Sequence, residues 1–182
     1  MLIPPFNFHS AKAILIGLFF LLPLVSNAQS ITLANGFAHN DYRHKRPLFD
    51  AENNGYTHIE ADVFLHDNRL VIAHINPYFK RNRTLENLYL LPLFEQVQAN
   101  NGSVYEGHRE PVTLMIDIKT NAKKTYEALQ NVLEKYRPML SSYDDGVVTT
   151  RAVTIVLSGH KPYDDVKAAK NRLVFIDEDL RK

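Results

Sequence analysis

Glu60 and Asp62 stand two residues apart in a strand-like run, Thr57-His58-Ile59-Glu60-Ala61-Asp62-Val63-Phe64. Residues i and i+2 of a strand point to the same face, so both carboxylates can converge on one cation. Without a cation between them, or a proton on one, two such carboxylates repel. Oxygen ligands of this kind suit Mg²⁺ or Ca²⁺ rather than a soft metal. His39 precedes the run, after the apolar Gly36-Phe37-Ala38, and His74 follows it, closing Leu70-Val71-Ile72-Ala73. Imidazoles exchange protons near neutral pH, so two of them flanking a cation are candidates for a general acid and a general base. Asp117 and Lys119 form another i, i+2 pair, around the end of the apolar run 112–118. Asp117 can add a metal ligand, and Lys119 can hold an anionic oxygen. Taken singly, each of these residues is explained as well by a solvent-facing strand position. The ordered set points to chemistry, because successive strands carry metal-capable or proton-transferring groups near their C-terminal ends.

The elements that position them alternate. Residues 46–54 predict a helix, with Pro47 in its first turn and Gly55 after its end. Strand two covers 57–64, and Asp67-Asn68 turns the chain into strand three, 69–74. A polar loop with Lys80, Arg81 and Arg83 spans 76–87, and residues 92–99 predict a helix stopped by Asn100-Asn101-Gly102. The run 112–118 is a fourth strand. Ala122, Tyr126, Leu129, Leu133 and Tyr136 recur at spacings of four and three, which makes one apolar helical stripe over 122–136. Further strands are expected at 152–157 and 173–176, with a short helix at 161–169 between them. Strand–helix alternation with apolar strands predicts a parallel α/β fold. Polar groups at strand ends fit a TIM-type (β/α) barrel, whose active site lies on that face. With about six of the eight strands a barrel needs, either the barrel is incomplete in this chain or the fold is an open sheet; the favoured expectation is the incomplete barrel, with residues 29–182 a C-terminally truncated domain.

Composition narrows the class. The 182 residues contain no cysteine, so a disulfide, a thiolate metal site and a cysteine nucleophile are excluded. Residues 1–28 read as a secretory signal, with Lys12 as the charge, an apolar run over 13–25 and the small-residue site Ser26-Asn27-Ala28. That run is short for a membrane span. The expectation is a secreted or periplasmic protein with no stable membrane span after cleavage. The 21 basic and 20 acidic residues nearly balance and form no basic stripe, so nucleic acid is not an expected partner.

The string His39-Asn40, Glu60-x-Asp62, His74, Asp117-x-Lys119 resembles the active-site pattern of the phosphatidylinositol-specific phospholipase C / glycerophosphodiester phosphodiesterase superfamily. The wider context, His39-Asn40-Asp41-Tyr42 through Glu60-Ala61-Asp62-Val63 to Thr84-Leu85-x-x-Leu88-Tyr89, is similar to its altered inheritance of mitochondria protein six-like branch. The resemblance implies a TIM-type barrel that hydrolyses phosphodiesters with one divalent cation, Ca²⁺ or Mg²⁺. It implies His39 and His74 as the catalytic pair, Glu60, Asp62 and Asp117 as metal ligands, Asn40 as a further metal contact and Lys119 as a phosphate contact. Arg43, with Lys80 and Arg81, can line the mouth and meet an anionic head group. Two departures stand out. Asn40-Asp41 replaces the Arg-Gly of glycerophosphodiester phosphodiesterases, and Asp117-x-Lys119 replaces their Glu-x-Lys, an arrangement closer to sphingomyelinase D. The substrate therefore stays open between a glycerophosphodiester and a lipid-derived diester. The nucleophile, water or a neighbouring substrate hydroxyl, also stays open, as does which histidine is the base. The rival reading is a secreted, non-catalytic barrel domain that binds a metal or ligand, or an inactive fragment.

Overall fold

A computed structural model describes residues 32–75 and 82–177. The expected signal at 1–28 and the loop cations Lys80 and Arg81 lie outside the described residues. Among the described residues, nine strands occur in chain order: β1 (Leu33–Ala38), β2 (Tyr56–His66), β3 (Arg69–Ile72), β4 (Val112–Ile118), β5 (Ser142–Asp144), β6 (Val147–Thr149), β7 (Val153–Gly159), β8 (Asn171–Arg172) and β9 (Val174–Ile176). The helices are α1 (Phe49–Asn53), α2 (Leu91–Ala99), α3 (Ala122–Leu133) and α4 (Tyr163–Ala168). A π-helical turn, Glu86–Leu90, leads into α2, and a 3₁₀ turn, Glu134–Met139, extends α3 and contains Pro138. Among the described residues no helix is long and apolar enough to cross a membrane.

The main sheet is mostly parallel, and the fold is mixed α/β. Its strands run β1-β2-β4-β7-β9, each parallel to the next and in chain order. The six strands expected from sequence are the six of this sheet, but the expectation that all of them run parallel needs correction. The stretch expected as strand three is β3, which returns antiparallel on the far half of β2, with Val63 opposite Ile72 and His66 opposite Arg69. Asp67 and Asn68 both take positive φ, 48° and 57°. Two such residues between strands make the tight hairpin turn that matches strand twist, so the chain folds straight back. A second sheet of β6, β5 and β8 was not anticipated. Its strands are two or three residues long, too short to show a period.

Period-two alternation sorts the main sheet into two faces. Ile59, Ala61 and Val63 of β2, Leu114, Ile116 and Ile118 of β4, and Ile155 and Leu157 of β7 are fully buried. They join one core with Leu93 of α2, Leu129 and Leu133 of α3, and Val166 of α4. The other face carries Glu60, Asp62, Asp117 and Ser158, with half-buried Met115 and Val156 between them. The helices therefore pack beneath the sheet, and the chemistry sits on the opposite face.

One contact among the helices sets up a pH dependence. Gln96 Nε2 on α2 donates to Glu52 Oε2 on α1 at 2.7 Å. Burial pushes the Glu52 carboxyl up to about 7 from an ordinary 4.5, against the opposing pull of that hydrogen bond. The folded chain then holds a proton that the unfolded chain has shed. Its stabilisation is complete below about pH 4.5 and is lost as pH rises toward 7. From this group stability should fall by at most about 1.4 kcal/mol per pH unit across that window. Urea midpoints of the unsubstituted chain should decline there relative to Glu52→Gln, which cannot titrate. Parallel curves for the two proteins would refute the assignment.

Candidate active site

The first wall of the site is the turn after β1. Asn40 takes a left-handed conformation, φ 54°, which asparagine tolerates better than most residues. The chain then enters a 3₁₀ turn, Asp41–Arg43. Asp41 is fully buried beneath it and accepts from the Leu48 amide at 2.6 Å and the Tyr89 hydroxyl at 3.0 Å. Burial raises the Asp41 carboxyl, and these two donors work against that rise. Leu48 itself has φ 67° and ψ −60°, with the Phe49 amide bonded to the Pro47 carbonyl at 2.9 Å. This is a strained γ-turn for a branched residue, and the Asp41 carboxylate helps to hold it. Arg83 Nη2 donates to the Tyr42 carbonyl and ties the turn to the segment before α2.

The second wall is the polar face of β2. The Asn40 amide donates to Glu60 Oε2 at 2.6 Å, which joins the end of β1 to the carboxylate pair. Burial raises the Glu60 carboxyl and the neighbouring Asp62 raises it further, with the Asn40 amide opposing. Asp62 goes the other way. Burial works to raise it, but hydrogen bonds from Tyr42, His74, Glu60 and Lys119 outweigh that and lower it. Two carboxylates at close range thus split, and the pair's most basic position lies at Glu60.

The hairpin supplies the third wall. Because β3 pairs with the far half of β2, the Ala73 amide meets the Asp62 carbonyl at 3.3 Å, and His74 follows at once. His74 Nδ1 lies 2.8 Å from Asp62 Oδ2. His74 therefore reaches the site by returning to it, rather than by ending a parallel strand. His39 lies on the other side, exposed, with Nε2 3.9 Å from Glu60 Oε2.

Strand β4 completes the cluster. Asp117 is the register partner of Asp62, so parallel pairing sets the two carboxylates side by side. Lys119 Nζ lies 3.2 Å from Asp62 Oδ1 and 2.9 Å from Asp117 Oδ2. Partial burial disfavours the Lys119 charge, but the two aspartates outweigh it and hold the ammonium's pKa up. Glu60, Asp62 and Asp117 each offer an oxygen, all within 4.8 Å of one another, and this cluster could hold a metal ion. Asp62 Oδ1 has the Lys119 ammonium as its ion-pair partner, while Asp117 Oδ1 is buried without a hydrogen-bond partner and keeps unused acceptor capacity in the cluster.

Of the residues expected from sequence, His39, Glu60, Asp62, His74, Asp117 and Lys119 come together. Asn40 is at the site, but its side chain is engaged within the protein. Oδ1 lies 2.5 Å from the Tyr42 hydroxyl, and Nδ2 lies 3.0 Å from His39 Nδ1. Arg43 is exposed on the 3₁₀ turn. Tyr42 and Gly159 also have a structural role here. Tyr42 faces Asp62 Oδ2 at 2.6 Å and His74 Nδ1 at 2.9 Å; it stands inside the His39-Asn40-Asp41-Tyr42 string, but no spacing rule marks it. Gly159, at the end of β7, takes φ +64°. A Cβ there would overlap Asp117 Oδ1 and lie 2.7 Å from the Ile118 carbonyl. A glycine closing an apolar strand was the available signal.

Gly159→Ala should therefore destabilise the chain by at least about 1 kcal/mol, from the left-handed backbone alone. Asp117→Ala added to it should recover part of the remaining loss, because the clash disappears with the carboxylate. Denaturant midpoints of the two single variants and the double variant measure this, and strictly additive losses would refute the steric account.

Comparison with known proteins places this arrangement in a family. A model of the AIM6-like phosphodiesterase domain matches residues 26–177. Altered inheritance of mitochondria protein 6 of Eremothecium gossypii is 30% identical over 162 residues, covering 79% of this chain and 42% of that protein. The protein of the same name from Lachancea thermotolerans is 30% identical over 176 residues, covering 80% and 41%. The homolog from Arthroderma benhamiae is 26% identical over 165 residues, covering 79% and 52%. The match thus spans about half or less of each of these relatives. No solved structure matches the chain. With its carboxylates, lysine and two histidines gathered on one sheet face, the chain belongs to the AIM6-like phosphodiesterase domain family.

Proposed function

We propose that this protein is a metal-dependent phosphoric diester hydrolase that cleaves a glycerophosphodiester or a phospholipid head group. The observation that carries the reading is the gathering of His39 and His74 around three carboxylates and one lysine. The family's phosphodiesterase designation supports the reaction class.

Glu60, Asp62 and Asp117 would hold one divalent cation, with Asn40 close by. Their all-oxygen donor set favours Ca²⁺ or Mg²⁺. When bound, such a cation would supply Lewis-acid charge stabilisation to a phosphate oxygen. The Lys119 ammonium adds charge stabilisation for the phosphoryl oxygens. One histidine takes the proton from the attacking hydroxyl, of water or of the substrate itself, as the new P–O bond forms. The other gives a proton to the leaving alkoxide as the old P–O bond breaks. Arg43, exposed beside the turn, is available to an anionic head group.

The same reading extends to architecture and location. Parallel strands that follow one another in chain order fit the winding of a (β/α) barrel, which supports reading the sheet as part of one. The pattern of residues 1–28 supports export to the periplasm or the medium.

The full chain should hydrolyse at least one of bis-(p-nitrophenyl) phosphate, glycerophosphocholine and phosphatidylinositol when Ca²⁺ or Mg²⁺ is present. Chelation, or Glu60→Ala with Asp62→Ala, should abolish the activity. A folded protein inactive on all three substrates would favour a binding domain over an enzyme. His39→Ala and His74→Ala should each lower the rate by about 10²- to 10⁴-fold. Near-normal rates in both would remove the histidines from the reaction.

A further inference from the structure

The opposite end of the sheet carries a second concave surface. A cavity of about 560 Å³ opens between the loop that follows α2 and the segment that leads into β7, and its lining includes Asn101, Ser103, Arg109, Thr150 and Arg151. Gly102 and Gly107 line it too, each with open space where a Cβ would stand. The Val112 amide, at the start of β4, bonds to the carbonyl of Ala152, another lining residue, at 2.9 Å. Asp117 lies near the far end of the same strand, roughly 17 Å from Val112 at the usual rise per residue. The cavity and the candidate active site therefore occupy opposite ends of β4.

The charge in this cavity is unbalanced. Arg151 is half-buried and fixed in place. Its Nη1 donates to the Leu140 carbonyl at 2.9 Å and to Ser142 Oγ at 3.1 Å, and its amide donates to Ser141 Oγ at 2.9 Å. The first two contacts use both Nη1 hydrogens. The edge formed by Nε and Nη2 has no partner among the described residues, and neither atom is sealed from solvent. That edge is the fork that matches two oxygens of an oxyanion. Arg109 is exposed and has no hydrogen-bond or ion-pair partner among the described residues. Glu106 and Glu110 flank it in sequence, but neither lines the cavity. Carbonyls at the end of α2 would disfavour an anion nearby. Two of them are already bonded, Gln96 by the Asn100 amide and Val97 by the Gly102 amide, both at 2.8 Å. Two unpaired guanidiniums thus meet one polar cavity whose described lining holds no carboxylate.

We infer that this cavity is a binding site for a phosphoryl group, carried by a small phosphate monoester or by free phosphate. Arg151 presents the preformed fork, Arg109 adds a second positive charge from the rim, and Asn101 and Thr150 offer neutral hydrogen bonds. A phosphate monoester carries about 1.5 to 2 negative charges at pH 7, which two guanidiniums offset, whereas a single carboxylate would leave one of them uncompensated. The volume falls in the range of small-molecule sites, about 300 to 1,000 Å³, and leaves room for a sugar-sized polar group beside the phosphoryl. The ligand is held here and not cleaved, so the inference does not depend on the proposed hydrolysis.

The ¹⁵N-labelled full chain, in chelator and at constant ionic strength, can be titrated with inorganic phosphate, glucose 6-phosphate and citrate. The readouts are the amide signals of Gly102 and Gly107 and the Nε–H signal of Arg151. At least one phosphoryl probe should shift them saturably, with a Kd below about 1 mM. Arg109→Ala should weaken that binding about 10-fold or more, and so should Arg151→Lys, which keeps the charge but not the fork. Lys123→Ala, an exposed cation of α3, should leave it unchanged. Tighter binding of glucose 6-phosphate sustains the site and assigns it to a monoester; binding of inorganic phosphate at least as tight sustains it and assigns it to free phosphate. The inference is overturned by a lack of saturation, by a preference for citrate, by shifts confined to the surroundings of Asp62 and Asp117, or by an unchanged Kd in Arg109→Ala. Equal losses in Lys123→Ala and Arg109→Ala would overturn it as well, because they would mark nonspecific attraction. Arg109 is exposed, so its variant decides the matter even if Arg151→Lys fails to fold. A protein that binds phosphate here but cleaves no diester would keep this site and lose the proposed function.

Discussion

Three carboxylates on one face of a sheet repel one another, and the rest of the site follows from how that repulsion is offset. Asp62 and Asp117 are side by side because parallel pairing puts them in register, and Glu60 is two residues back on the same strand. Lys119 bridges the two aspartates, the Asn40 amide meets Glu60, and Tyr42 and His74 meet Asp62. Each of these groups brings positive charge or a polarised hydrogen to a carboxylate that burial penalises. Asp62 collects more of them than Glu60 does, so it stays the stronger acid while Glu60 becomes the weaker one. Asp117 Oδ1, buried without a hydrogen-bond partner, keeps acceptor capacity that this set of donors does not use.

The surrounding structure keeps those donors in place. The turn after β1 can present the Asn40 amide to Glu60 because Asp41 anchors it from below, through the Leu48 amide and the Tyr89 hydroxyl. The strained backbone at Leu48 persists beside that anchor, as strain near functional sites does when packing over-determines it. On the other side, the β2–β3 hairpin brings His74 to Asp62, and the bare backbone of Gly159 gives Asp117 room. The apolar core under the sheet is separate from all of this. Ile59, Ala61, Leu114 and Ile116 pack downward between the very residues that point up, so stability and chemistry occupy alternate positions of the same strands.

Much of this was legible in one dimension because strands have a period of two. The spacing Glu60-x-Asp62 fixes a shared face before any fold is known, and Asp117-x-Lys119 does so again. The stripe from Ala122 through Leu133 foretold α3 for the equivalent helical reason, and the apolar runs foretold the parallel strands. The direction of β3 was present as well, in Asp67-Asn68, two residues that accept positive φ at a two-residue turn. The short strands β5, β6 and β8 had no comparable signal, since two or three residues carry no period.

The sequence by itself determined the chemical inventory: hard oxygen ligands, two imidazoles, an ammonium and no thiol, on segments whose local periodicity sets the facing of each side chain. Only the tertiary structure decided which of these meet. Register between β2 and β4 is a property of two strands some fifty residues apart, and it pairs Asp62 with Asp117. The contact of Gly159 with Asp117 depends on a third strand, and Tyr42 gains its place only once β1, β2 and the hairpin are assembled around one hydroxyl. Local periodicity is written in neighbouring residues, whereas convergence at a point depends on long-range packing that no short stretch of sequence contains.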